Sequence, residues 1–307
     1  MKIKVSKQFV WINIVLILMM TACGKKQYDF DATGSFEATE VIVSSEAVGR
    51  ILSFDVTEGK EVTAGETVGV IDSLQLYLSK LQLMKNISSV ESNKPNVSAQ
   101  VAATREQLLK QQTERTRIEN LLKSEAATQK QLDDVNSTIV VLERQLTAQL
   151  STLNNSVSSL TAQSSALEIQ IAQIEDRLSK CLILSPIAGT VLAKYAEAGE
   201  LAIVGKPLFK VADMKHVFLR SYFTSGQLAD IKLGQTVKVF ADFGGDKRRE
   251  YKGIITWISD KSEFTPKSIQ TKKDRENLVY AVKIAVENDG YIKIGMYGEV
   301  QLAMNNE

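Results

Sequence analysis

The chain has 307 residues, 44% of them hydrophobic and 24% charged, with a formal net charge of +1. That balance supplies no field to gather nucleic acid or acidic substrates, and no basic cluster with interleaved aromatics occurs. A glycine-free stretch from 70 to 188 excludes one compact core for the whole chain and predicts an elongated molecule.

The N-terminus reads as a secretory signal over 1–22: Lys2, Lys4 and Lys7, then the apolar run Phe9 to Met20, then Thr21-Ala22-Cys23-Gly24. The run is short for a membrane span. The site ending in Cys23 resembles the lipobox of bacterial lipoproteins, with Met20 where Leu is usual; the resemblance implies an acylated Cys23 leading into a linker over 23–35. An uncleaved signal anchor is the alternative. Both place the body outside the cytoplasm, held to a membrane.

From 36 to 72 the pattern is strand-like, marked by Gly49, Gly59 and Gly65. The same spacing returns 140 positions later at Gly189, Gly199 and Gly205. Glycine in Glu58-Gly59 and Ala198-Gly199 suits turns with positive φ, and each half ends in an apolar strand, Val68-Gly69-Val70-Ile71 and Leu208-Phe209-Lys210-Val211. A small duplicated β unit, 36–72 and 184–213, has been split open.

The insert that splits it, 73–183, is rich in Gln, Leu, Ala, Glu and Lys, residues that lose little freedom in a helix. Leu150, Leu153, Val157, Leu160, Ser164, Leu167, Ile171, Ile174, Leu178 and Cys181 alternate steps of three and four, a heptad seam. Leu132, Val135, Ile139, Leu142 and Leu146 share the rhythm upstream, and the step to Leu150 is a stutter that should unwind the supercoil locally. The other arm carries Val97, Val101, Thr104, Leu108, Gln111, Arg115, Ile118 and Leu122. The arms are predicted to form an antiparallel hairpin with its tip at about 123–128. Pro95 should break the first arm into two helices, with Asn96 or a neighbour capping the second.

After Asp213, five short alternating segments, Val217–Tyr222, Thr236–Phe240, Tyr251–Ile258, Leu278–Val286 and Glu299–Leu302, predict a small barrel over 214–307. The fold class is therefore α+β and elongated. His216 is the only histidine, which removes His-based triads and multi-His metal sites within one chain. No phosphate-cradling glycine loop with Lys-Ser or Lys-Thr occurs. No catalytic constellation or cofactor motif is found, and Cys181 reads as a small core hydrophobe.

The duplicated unit resembles the sandwich of biotinyl and lipoyl carrier domains, but Asp72-Ser73-Leu74 enters the insert without a carrier lysine. A lipoyl-like sandwich split by a helical hairpin and succeeded by a barrel resembles the HlyD family of periplasmic adaptors, or membrane fusion proteins. Leu184-Ser185-Pro186-Ile187-Ala188-Gly189-Thr190-Val191 is similar to that family's re-entry strand, and Leu233-Gly234-Gln235-Thr236-Val237-Lys238-Val239 to its barrel strand. Phe264-Thr265-Pro266-Lys267 through Asn277-Leu278-Val279-Tyr280-Ala281-Val282, and Lys293-Ile294-Gly295-Met296, resemble the branch that serves ATP-driven (ABC) exporters.

The resemblance implies a non-enzymatic adaptor without cofactors or metal. It implies a periplasmic location in a Gram-negative cell, anchored to the inner membrane, with an inner-membrane exporter and a TolC-type outer-membrane channel as partners. It also implies self-association into a ring of six. Arg117, Leu121 and Thr128 have the spacing of the Arg, Leu and Ser with which such adaptors dock on the channel, Thr replacing Ser. The rival readings are an adaptor of a proton-driven (RND) pump and a coiled-coil scaffold lipoprotein unrelated to transport.

Overall fold

The structure, a computed structural model, describes residues 30–244, 247–263 and 278–302. The signal segment, Cys23 and the Phe264–Pro266 string lie outside them. Twelve strands and three long helices are described: β1 (Ala32–Ser44), β2 (Gly49–Phe54), β3 (Glu61–Val62), β4 (Thr67–Ile71), α1 (Leu74–Ser92), α2 (Val97–Lys123), α3 (Gln129–Ser179), β5 (Leu182–Leu184), β6 (Gly189–Lys194), β7 (Leu201–Ala202), β8 (Pro207–Thr224), β9 (Thr236–Asp242), β10 (Arg248–Ser262), β11 (Val279–Glu287) and β12 (Tyr297–Leu302). No described helix is long and apolar enough to cross a membrane.

The split unit is a sandwich of two four-stranded sheets. One runs β5-β4-β2-β7; the other is formed by the second half of β1 with the first half of β8, then β6 and β3. A pseudo-two-fold relates them through the repeat. Gly59 N donates to Val191 O at 2.9 Å, and Gly199 N donates to Ile51 O at 2.8 Å. Both glycines have positive φ, 84° and 93°, a conformation that costs a side-chain-bearing residue more than glycine. Ile51, Ile71, Val191, Leu208, Phe209 and Cys181 fill the core between the sheets. Burial pushes the Cys181 thiol up, as expected of a group packed as a hydrophobe.

The barrel closes through six strands, β1-β12-β9-β10-β11-β8 and back to β1. Phe36, Leu219, Phe223, Val239, Ile255 and Ile284 are buried inside it. Five of those strands come from the C-terminal region; the sixth is the first half of β1. This corrects the linker boundary read from the sequence. The strand starts at Ala32, inside 23–35, because Ala32 and Phe36 are 5% and 1% exposed in the barrel core. The small polar residues between them hide the alternation.

β1 and β8 each run through both β units without a break in the chain. Where they cross, β8 bulges: Ala38 faces Val217 but Thr39 faces Asp213, so Met214 to His216 stand out of register. Asn288 closes over this bulge, its Nδ2 donating to Met214 O at 2.8 Å and its backbone N to Lys215 O at 2.8 Å. His216 is exposed and its Nδ1 lies 2.8 Å from Asp213 Oδ2.

Candidate docking tip and its mount

The helical arms leave and re-enter the sandwich through short links. Ile71 N donates to Cys181 O at 2.8 Å, and Asp72 Oδ1 accepts from Leu74 N at 3.1 Å to start α1. The first arm breaks at Pro95, as its lost N–H requires. Asn96 caps α2, its Oδ1 accepting from Ala99 N at 3.1 Å. α3 packs on α1 and α2 in turn, and its 51 residues extend about 76 Å at the rise of an α-helix.

Burial along α3 tracks the heptad seam: Leu153, Val157, Leu160, Ser164, Leu167, Ile171, Ile174 and Leu178 are covered while the residues between are exposed. Only Val101, Thr104, Ile139 and Ser164 of α2 and α3 are fully buried. Two of these four are polar, and both are paired across the arms. Thr104 Oγ1 donates to Gln149 Oε1 at 2.9 Å, at the stutter, where Gln149 and Leu150 both turn toward the seam. Ser164 Oγ donates to Glu91 Oε1 at 2.7 Å, beside the Pro95 break. Lys94 and Ser164 together hold the Glu91 carboxyl below the usual carboxylate range. Each pair sits where the helical phase slips, and each opposes a further slip, because sliding would leave a partly desolvated polar group unpaired.

The tip is built from two caps. α2 ends in a Schellman motif, with Ala126 N donating to Leu121 O at 2.9 Å and Glu125 N to Leu122 O at 3.1 Å. Glu125 takes φ 58° there, the position glycine usually fills. α3 then starts with a capping box on Thr128. The Thr128 N–H donates to Gln131 Oε1 at 2.8 Å, and Gln131 N donates back to Thr128 Oγ1 at 3.4 Å.

Of the three tip residues picked out by spacing, Arg117 and Leu121 lie one turn apart on α2 and Thr128 begins α3. The Arg117 side chain is 72% exposed, 3.6 Å from Glu114, and Leu121 is 38% exposed for so large an apolar residue. Among the described residues no hydrogen bond joins the three side chains. Thr128 has a structural role in its cap, which the Thr-x-x-Gln pattern already signals. Glu125 carries no sequence signal of its φ, since nothing in Ser124-Glu125-Ala126 demands it except the hydrogen bonds of the turn. No cluster of three or more metal-capable side chains occurs among the described residues.

The fold, a duplicated sandwich carrying a long hairpin with a six-stranded barrel threaded by two of its strands, has solved counterparts. It matches MacA from Actinobacillus actinomycetemcomitans over 88% of this chain and 76% of that one, with TM-score 0.53 and 21% identity. The membrane fusion protein Spr0693 from Streptococcus pneumoniae R6 matches over 88% and 97%, with TM-score 0.51 and 15% identity. The chain shares their fold. A UPF0194 membrane protein of Yersinia pseudotuberculosis (serotype O:3, strain YPIII) is 27% identical over 316 residues, covering 92% of this chain and 94% of that protein. The chain matches no protein-family model.

Proposed function

We propose that the chain is a non-catalytic periplasmic adaptor. Cys23 tethers it to the inner membrane, the barrel and sandwich of several copies stand together as a ring, and the hairpin reaches a TolC-type channel in the outer membrane. The exporter it serves is of the ABC type. The observation that carries this reading is the hairpin itself: a 51-residue helix with few buried side chains, mounted on a sandwich by two short links, is a reach and not a core. The membrane fusion protein Spr0693, which shares the fold, supports the same reading.

The tip gives the sharpest test. Arg117→Asp and Leu121→Asp should abolish export while the protein remains normally abundant, because both side chains reach solvent at the tip and neither belongs to the buried core. Unchanged export in both variants would sink the docking role. Affinity capture of the membrane complex then reads the exporter class: an ATP-binding subunit in the complex supports the ABC assignment, and a proton-driven pump in its place overturns it.

A further inference from the structure

The outside of the barrel carries a tryptophan that the strand's own period would bury. On β10, Gly253 and Ile255 face the barrel core, and a two-residue period would send Trp257 in after them. A bulge between Ile255 and Trp257 reverses this. Trp257 pairs with Lys283 of β11, stays 41% exposed, and has the Lys283 Nζ 5.9 Å from its ring centroid. Ile254, 43% exposed, faces outward beside it, and Leu233, 66% exposed, stands on a turn tied to the same strand by Gly234 N donating to Ile255 O at 2.8 Å. Lys232, Lys252 and Lys283 on this flank have no acidic partner among the described residues. Lys252 sits directly opposite Lys238, a like-charge pairing that costs the sheet stability; Glu250, 3.0 Å from Lys238, relieves it in part. Of the other acids nearby, Glu299 is paired with Arg248, which stands opposite Asp242 at the end of β9. Glu287 ends β11 opposite His216, and Asp260 lies three residues past Trp257.

We propose that this flank of the barrel rests on a membrane surface of anionic phospholipid, with Trp257, Ile254 and Leu233 among the headgroups and the lysines on the phosphates. Tryptophan prefers that boundary, and a face that joins apolar to basic side chains gains both from burial and from attraction to anionic lipid. The N-terminal chain supplies the second argument. Phe30 lies against the outside of β9, its ring 5.4 Å from that of Phe240 and 4.8 Å from the Arg248 guanidinium. The chain thus joins the barrel on the outer face of β9, where Lys238 also points, since Val237 and Val239 are buried. Cys23 stands seven residues before Phe30, a reach of at most about 25 Å. An anchor at Cys23 therefore holds this flank within that distance of the bilayer. The inference rests on the membrane anchor of the adaptor reading and on no other part of it.

The test exploits the two tryptophans of the chain, Trp11 and Trp257: in full-length Trp11→Phe, fluorescence reports Trp257 alone. The protein is reconstituted with vesicles carrying brominated acyl chains, either of phosphatidylglycerol with phosphatidylethanolamine or of neutral phosphatidylcholine. On the anionic vesicles Trp257 emission should move to shorter wavelength and be quenched by bromine, at least threefold more than on the neutral ones, and 0.5 M salt, ~0.5 M being enough to screen surface charge, should reverse most of the difference. Lys232→Glu with Lys252→Glu should lower the quenching at least threefold, and Leu233→Asp should lower it as well. Lys252→Glu also turns a like-charge cross-strand pair into an opposite one, so the melting temperature should hold or rise while lipid contact falls. Protein that floats with the vesicles while Trp257 stays unquenched overturns the inference and leaves the anchor standing; protein that does not float overturns both. Quenching equal on the two vesicle types, or indifferent to the lysine and leucine variants, overturns it too. So does Trp257 shielded in detergent by self-association, or shielded only once the exporter is added, either of which assigns the flank to a protein partner.

Discussion

Ser45 and Ser185 hold the same place in the two repeats: each buried hydroxyl donates to the carbonyl two residues on, at 2.7 Å to Ala47 and 2.8 Å to Ile187. Each also exchanges backbone hydrogen bonds with a turn of the opposite repeat, Ser45 with Gly205 and Lys206, Ser185 with Gly65 and Glu66. Removing either hydroxyl leaves a partly buried carbonyl without that partner. Ser45→Ala and Ser185→Ala should each destabilise the protein by about 1–3 kcal/mol, and by similar amounts, in denaturant unfolding monitored by tryptophan fluorescence. A cost at one site and none at the other would show that the hydrogen-bond symmetry is not an energetic one.

The Schellman turn puts Glu125 at φ 58°, where glycine is less strained. Glu125→Gly should stabilise the hairpin by about 0.5–1 kcal/mol, seen as slower hydrogen exchange of the Glu125 and Ala126 amides. Slower exchange absent, or exchange accelerated, would mean that the turn is held by something other than these two hydrogen bonds.

Thr128 caps the longest helix among the described residues. Thr128→Ala should cost about 1 kcal/mol locally and expose the Gln131 amide, whereas Thr128→Ser should keep both, since a serine hydroxyl makes the same cap. If Thr128→Ser frayed α3 as much as Thr128→Ala in hydrogen exchange, the methyl group and not the hydroxyl would be what matters at this position.

The Thr104–Gln149 pair predicts a signature of its own. Thr104→Val alone leaves the Gln149 amide oxygen facing the seam unpaired and should cost about 1–3 kcal/mol in denaturant unfolding, while Thr104→Val with Gln149→Leu should recover most of that. A double variant as unstable as the sum of the singles would count against the pairing.

Glu91 ties hairpin stability to pH. Its folded-state pKa is lowered from 4.5 by the Lys94 and Ser164 contacts, so its contribution is fully present above 4.5, the unfolded value, and is lost as pH falls through the lower folded value. The difference in melting temperature between wild type and Glu91→Gln should therefore shrink between about pH 6 and about pH 3. A constant difference across that range would show that the carboxylate charge contributes nothing.

Much of this architecture can be read in the sequence, and the reasons differ by element. The seam from Leu153 to Leu178 is legible because a heptad is a one-dimensional pattern that survives without neighbours. The repeat is legible through glycines because positive φ at Gly59 and Gly199 leaves few substitutes. Ser45 and Ser185 obey the same 140-residue offset but are inconspicuous, since serine is common and its burial depends on the turn across the sandwich. β1 is the least legible element: its barrel half pairs with β12 far along the chain, Ala32 facing Val300, and Thr33, Gly34 and Ser35 carry no apolar alternation. At the tip, spacing finds Arg117 and Leu121 on one face, but the strained backbone of Glu125 arises only once both helices have ended.

The continuity of β1 and β8 makes the molecule a lever. Two unbroken strands tie the barrel to the sandwich, and two short links tie the sandwich to arms about 76 Å long, so a rotation of only about 5° at the barrel would carry the tip some 7 Å, roughly a turn of helix and more. Small movements imposed at the barrel thus arrive at the hairpin tip enlarged, at the cost of force.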